Sequence, residues 1–128
     1  METSVNNKFK AFTSLEQSKK LAEILPLESA DMEYLAIKEI GKLVGDVPFV
    51  KDDSEVEDSA YSHIYDRIAC WSLAALLGVL PEKYTKLLIK EEGMYRILIK
   101  DLCMTSLFNN PIDACVAMIE KLHKLKML

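Results

Sequence analysis

The 128-residue chain is short of glycine and proline, with four of each, and it has one tryptophan and three cysteines. So few glycines leave little material for a phosphate-cradling loop, and neither Gly-x-Gly-x-x-Gly nor Gly-x-x-x-x-Gly-Lys occurs. Cys70, Cys103 and Cys115 are an odd set, 33 and 12 residues apart, which excludes a disulfide scaffold. Each lies in an apolar context, and reduced thiols in a cytoplasm are the simplest reading. There is no Cys-x-x-Cys and no His-x-x-x-His pair, so no metal site and no cofactor is expected. Long apolar runs are missing too. The longest, Ile68 to Leu80, has 13 residues interrupted by Ser72 and Gly78, whereas a membrane span needs about 20. Met1 to Lys10 is polar, so no secretory leader is expected.

Half of the residues are hydrophobic, and a chain of this length buries roughly two-thirds of the surface it exposes when unfolded. One domain is expected over residues 13–128, preceded by a flexible N-terminus at 1–12. Charge is unevenly placed. Residues 1–64 carry 7 basic and 13 acidic groups, and residues 65–128 carry 9 and 7, so the halves stand at −6 and +2. Asp46, Asp52, Asp53, Glu55, Glu57 and Asp58 crowd into one segment relieved only by Lys51. Direct nucleic-acid binding is not expected of that surface, because phosphate contacts need clustered Lys and Arg. These six acids are the candidate interaction patch, suited to a basic protein partner, with solvation alone as the default.

Thr13-Ser-Leu-Glu16 has capping-box spacing and predicts a helix over 13–25, stopped by Pro26. Its stripe would be Leu15, Ser18, Leu21, Ala22 and Leu25. Met32, Leu35, Ala36, Ile40, Leu43 and Val44 fit a helical period over 32–44, with a strand through Tyr34 and Ala36 as the competing reading. Tyr61, Ile64, Tyr65 and Ile68 suggest a short helix. Cys70 to Leu80 predicts a central helix over 70–79, buried on most sides and closed by Gly78 and Pro81. Glu92-Gly93 between two β-prone runs, Leu87 to Lys90 and Met94 to Ile99, is a hairpin signature. On the second arm Tyr95, Ile97 and Ile99 alternate with Met94, Arg96 and Leu98, so one face should be buried and the other partly covered. Asn110-Pro-Ile-Asp113 opens a last helix over 111–126, whose buried stripe is Ile112, Cys115, Val116, Ile119 and Leu122. His123 falls on the inner side of that helix by spacing from Val116 and Ile119.

The fold expected is α+β, three main helices on a small antiparallel sheet built around the hairpin, with an all-α chain as the alternative. A third strand would come from Met32 to Ala36 or from Pro48 to Val50. Leu76 and Ile119 are expected in the core.

Enzyme templates fail residue by residue: Gly-x-Ser-x-Gly and His-Glu-x-x-His are absent. His63, Asp66 and Cys70 share one face if the segment is helical, which gives a Cys/His nucleophile as the rival reading. Such groups are normally assembled from distant segments, so no catalytic residue is assigned. The acidic run lacks the residue order of a calcium loop. Trp71 is expected to pack in the core rather than to stack on a ligand.

Three stretches occur in order: Phe12 to Ile24 with Ser29 to Met32, Cys70 to Pro81, and Asn109 to Leu122. Together they resemble a family of small uncharacterised proteins found in gut Bacteroides genomes and associated with their phages and other mobile elements. The resemblance covers roughly half the chain; relatives vary widely over 33–69 and often have Pro where this chain has Ala69. It brings no activity, ligand or catalytic residue. It implies a phage or mobile-element setting inside a bacterium, and with it a non-enzymatic accessory protein acting through protein contacts. A small enzyme using Cys70 and His63 and an acidic nucleic-acid mimic are the alternatives.

Overall fold

The computed structural model describes residues 10–45, 47–51 and 64–128. They form an α+β domain of three helices and two small antiparallel sheets. Helix α1 is Leu15–Leu21, and a single 3-10 turn, Leu27–Ser29, precedes strand β1, Met32–Ile37. Strands β2, Phe49–Val50, and β3, Tyr65–Cys70, flank β1 in the order β2-β1-β3. Helix α2, Leu73–Gly78, leads to β4, Lys86–Glu91, β5, Met94–Ile99, and β6, Cys103–Met104, which pair in chain order. Helix α3, Pro111–Lys124, packs on both β5 and α2, while α1 packs on β3.

One continuous core joins these layers. Leu21 and Leu25 come from the first helical segment, Trp71, Leu76 and Leu80 from α2 and its flanks, and Ile97 and Ile99 from β5. From α3 come Ile112, Cys115, Val116, Met118, Ile119 and Leu122. Both expected core residues, Leu76 and Ile119, are fully enclosed. Trp71 is enclosed as well, and its indole N–H donates to Ser29 Oγ at 2.9 Å, which satisfies the polar edge of a core aromatic.

The hairpin stands as read, and the last helix starts where expected but ends at Lys124, two residues short of 126. Glu92 and Gly93 sit at φ 51° and 81°, the two left-handed positions of a tight two-residue turn, which Gly93 adopts without a Cβ penalty. Asn110 caps α3, its side-chain oxygen accepting from Asp113 N at 2.8 Å, with Pro111 as the first helical residue.

Elsewhere the structure corrects the reading. The cap of α1 is Ser14, not Thr13: Gln17 N donates to Ser14 Oγ at 3.1 Å and Ser14 N to Gln17 Oε1 at 3.0 Å. Thr13 is tied instead to the residue after β3, its N–H bonded to Trp71 O at 2.9 Å beside the Phe12–Ser72 bridge. The helix therefore runs 15–21, residues 22–25 form tight turns before Pro26, and Ala22 is exposed. The helix expected over 32–44 is absent, and the competing strand is present. Six residues satisfy either period, and Gly41 at φ 69° turns the chain so that Leu43 comes back beside Ala36. The short helix expected near Tyr65 and Ile68 is strand β3, which pairs with β1 from Ile37↔Tyr65 to Met32↔Cys70.

The central helix is only 73–78, because Ser72 caps it and Cys70 ends β3. Of its residues Leu76 alone is fully buried, while Ala74 and Gly78 face solvent. The hairpin takes its third strand from Cys103–Met104; Met32–Ile37 and Phe49–Val50 build the other sheet. His123 is exposed: Leu122 closes the buried stripe, and the next residue is rotated about 100° away. Lys10 is tied to Asp113 and Phe12 to Ser72, so the described chain is anchored from its first residues.

Candidate functional site

Strand alternation gives β4-β5-β6 two sides. Ile97 and Ile99 point into the core, so their neighbours Met94, Arg96 and Leu98 point outward. The register then sets Leu87 opposite Leu98 and Leu98 opposite Met104, a row of apolar side chains crossing three strands. Ile89 lies opposite Arg96 on the same outer side. Leu87 is 46% and Met104 43% exposed, and α3 is the element packed on β5, from the inner side. Among the described residues β4 and β6 pack chiefly on β5, and β5 chiefly on β4, β6 and α3.

Arg96 is the cation at the centre of that outer face, opposite Ile89. Its Nη2 is 3.4 Å from Glu91 Oε1 and its Nη1 3.2 Å from the thioether of Met104. Its Nε is buried with no hydrogen-bond partner. A guanidinium whose donors meet one long carboxylate contact and a weak sulfur acceptor retains unused hydrogen-bonding capacity.

Cys70 lies in a different environment. It is fully buried at the end of β3, where its thiol donates to Thr13 O at 3.4 Å and lies 3.5 Å from Thr13 Oγ1. Thr13 Oγ1 is 2.7 Å from Ser18 Oγ and accepts from Trp71 N at 3.1 Å; Tyr34 donates to Thr13 O at 2.7 Å. These bonds fasten the 12–14 segment to β1 and β3. Burial pushes the Cys70 thiol up, against the pull of hydrogen bonds from Thr13, Ser18 and Tyr34. Burial likewise raises Tyr34, and pushes Cys115 up to about 12. Asp66 is exposed on β3, four residues from Cys70 and so about 13 Å along the strand. His63 lies outside the described residues. The face that a helix would have given to His63, Asp66 and Cys70 does not form.

An open groove of about 780 Å³ lies between α1 and α3. Its charged groups are mostly spent on one another. Asp113 Oδ1 accepts from Lys10 Nζ at 2.9 Å and Gln17 Nε2 at 2.8 Å, and Oδ2 from Asn110 Nδ2 at 3.0 Å. Burial raises the Asp113 carboxyl, but these bonds and the Lys10 charge more than offset it and hold the group below its ordinary range. This is a clasp tying the N-terminal segment and α1 to α3.

Of the candidate interaction patch, Asp46, Asp52, Asp53, Glu55, Glu57 and Asp58 all lie outside the described residues. No cluster of three or more metal-binding side chains occurs among the described residues, and no described helix is long and apolar enough to cross a membrane. The outer sheet face was signalled in the sequence by two β-prone arms apolar on both sides; Arg96 at its centre carries no motif. Comparison with protein-family models, with curated proteins and with solved structures finds no match.

Proposed function

We propose that the protein is a non-enzymatic accessory factor of a phage or mobile element, acting inside a bacterium through protein contacts made by the outer side of β4-β5-β6. The observation that carries this reading is the apolar row Leu87, Leu98 and Met104, exposed at Leu87 and Met104 and half-buried at Leu98, with Arg96 beside it. Contiguous exposed apolar surface rimmed by polar groups marks interaction sites more often than chance. The genomic setting rests on the resemblance of the three sequence stretches. The rival enzyme needs an accessible Cys70 thiolate, and a buried thiol whose pKa is raised argues against it.

The test is affinity capture from bacterial cells that carry the protein, comparing the parent chain with Leu87→Ser/Met104→Ser and with Cys70→Ala. Both serines replace exposed side chains, so melting curves should match the parent. Loss of a specific captured protein in the double variant and its retention by Cys70→Ala support the reading. Retention by the double variant, or a chemical turnover abolished by Cys70→Ala, would refute it.

A further inference from the structure

The hydrogen-bond pattern of β4 leaves one edge of the second sheet open. Lys100 N donates to Thr85 O at 2.9 Å, so Thr85 faces β5 and, by strand alternation, so do Leu87, Ile89 and Glu91. The backbone N–H and C=O groups of Lys86, Leu88 and Lys90 therefore point away from β5. No backbone group among the described residues pairs with them. An edge of this length is a template for one more strand.

The side chains on the edge specify what that strand carries. Lys86, Leu88 and Lys90 share one side of the sheet, giving the order positive, apolar, positive, and Leu88 is 40% exposed. Neither lysine is in an ion pair among the described residues: Lys86 Nζ donates to Pro81 O at 2.8 Å, and Lys90 Nζ sits 5.6 Å from the centre of the Tyr95 ring. Both are therefore placed to meet a carboxylate across the strand. A second copy of this chain fits poorly. In the two-fold antiparallel register that uses all three backbone positions, Leu88 meets Leu88 while each Lys86 faces a Lys90, and like charges directly opposite are destabilising.

We infer that β4 is a docking edge for an extended segment of a partner protein with acidic, any, apolar, any, acidic order, which adds as an antiparallel fourth strand beside Lys86, Leu88 and Lys90. This deepens, and rests on, the protein-contact reading of the same sheet. Backbone bonds supply affinity, and the two lysines select an acidic strand against a basic one or a second copy. The positions between the acids fall opposite Leu87 and Ile89 and extend the apolar outer row.

The test uses the full chain and a fluorescein-labelled peptide with the core Glu-Val-Val-Val-Glu in polar flanks, followed by anisotropy at low and high salt. A second peptide has Lys in place of both Glu residues. Saturable binding of the acidic peptide, weakened at least roughly tenfold by the Lys peptide and by high salt, is expected. Lys90→Glu should weaken the acidic peptide by a similar factor, and Lys86→Glu/Lys90→Glu should reverse the preference towards the Lys peptide. Lys90→Glu alone keeps the Lys86–Pro81 bond, so the test stands if the double variant unfolds. Equal binding of both peptides, or none of the acidic one, would overturn the inference and leave the lysines as guards against edge pairing. If the acidic peptide fails while Leu87→Ser/Met104→Ser still loses its captured partner, the edge assignment fails and the protein-contact reading survives; if both fail, both are wrong.

Discussion

Ile119→Ala puts the packing of the core to a quantitative test. Ile119 is fully buried on α3, whose inner side is held between β5 and α2. Truncation removes three carbons, worth about 0.8 kcal/mol each, so the transfer loss is about 2.4 kcal/mol. Because the site is enclosed by both a sheet and a helix, it collapses only partly, and the residual cavity adds about 1 kcal/mol. The expected total is about 3.5 kcal/mol, a large part of the stability of an ordinary domain. At roughly 4 °C per kcal/mol for a chain of this size, Tm should fall by about 14 °C. Urea titration should show the same loss with an unchanged slope. A fall of less than about 3 °C would refute the placement of Ile119 between these elements. Ala22→Ser, at an exposed position after α1, serves as the control and should lie within about 0.5 kcal/mol of the parent.

Asn110→Ala removes the cap of α3 and should cost about 1 kcal/mol in a denaturant titration; a loss within error would count against the cap. Asp113 has a depressed folded pKa, so its contribution is fully present above the unfolded carboxylate range and disappears as pH falls through the folded value. The stability gap between the parent and Asp113→Asn should accordingly be widest near neutrality and narrow on acidification, and a gap independent of pH would be inconsistent with the clasp. In alkylation of the folded protein, half-buried Cys103 should react first, with Cys70 and Cys115 labelled only on unfolding. Rapid labelling of Cys70 at neutral pH would restore the enzyme reading.

The hairpin and α3 were legible because local chemistry and tertiary context agree there. Glu92-Gly93 suits a turn that needs two left-handed residues, and Asn110-Pro111 suits a helix start, whatever packs above them. The first sheet was misread because its strands are short and their partners distant. Met32–Ile37 owes its state to pairing with Tyr65–Cys70, some thirty residues on, and a six-residue window holds no information about that contact. The cap of α1 was off by one residue for a related reason: Thr13-x-x-Glu16 and Ser14-x-x-Gln17 both fit the motif, and the bond from Thr13 N to Trp71 O chooses between them. Of the candidate site, the acidic run stood out in composition, whereas the outer row emerges only when register aligns Leu87, Leu98 and Met104.

The central claim is that the second sheet meets the partner, and amide hydrogen exchange on the complex with the captured protein tests it most directly. Exchange reports backbone protection segment by segment, so free and bound chains can be compared without a substitution. The account predicts new protection concentrated in 86–104, strongest at Lys86, Leu88 and Lys90, whose amides have no backbone partner among the described residues. Protection confined to the α1–α3 groove or to the acidic run between Asp46 and Asp58, with 86–104 unchanged, would contradict it.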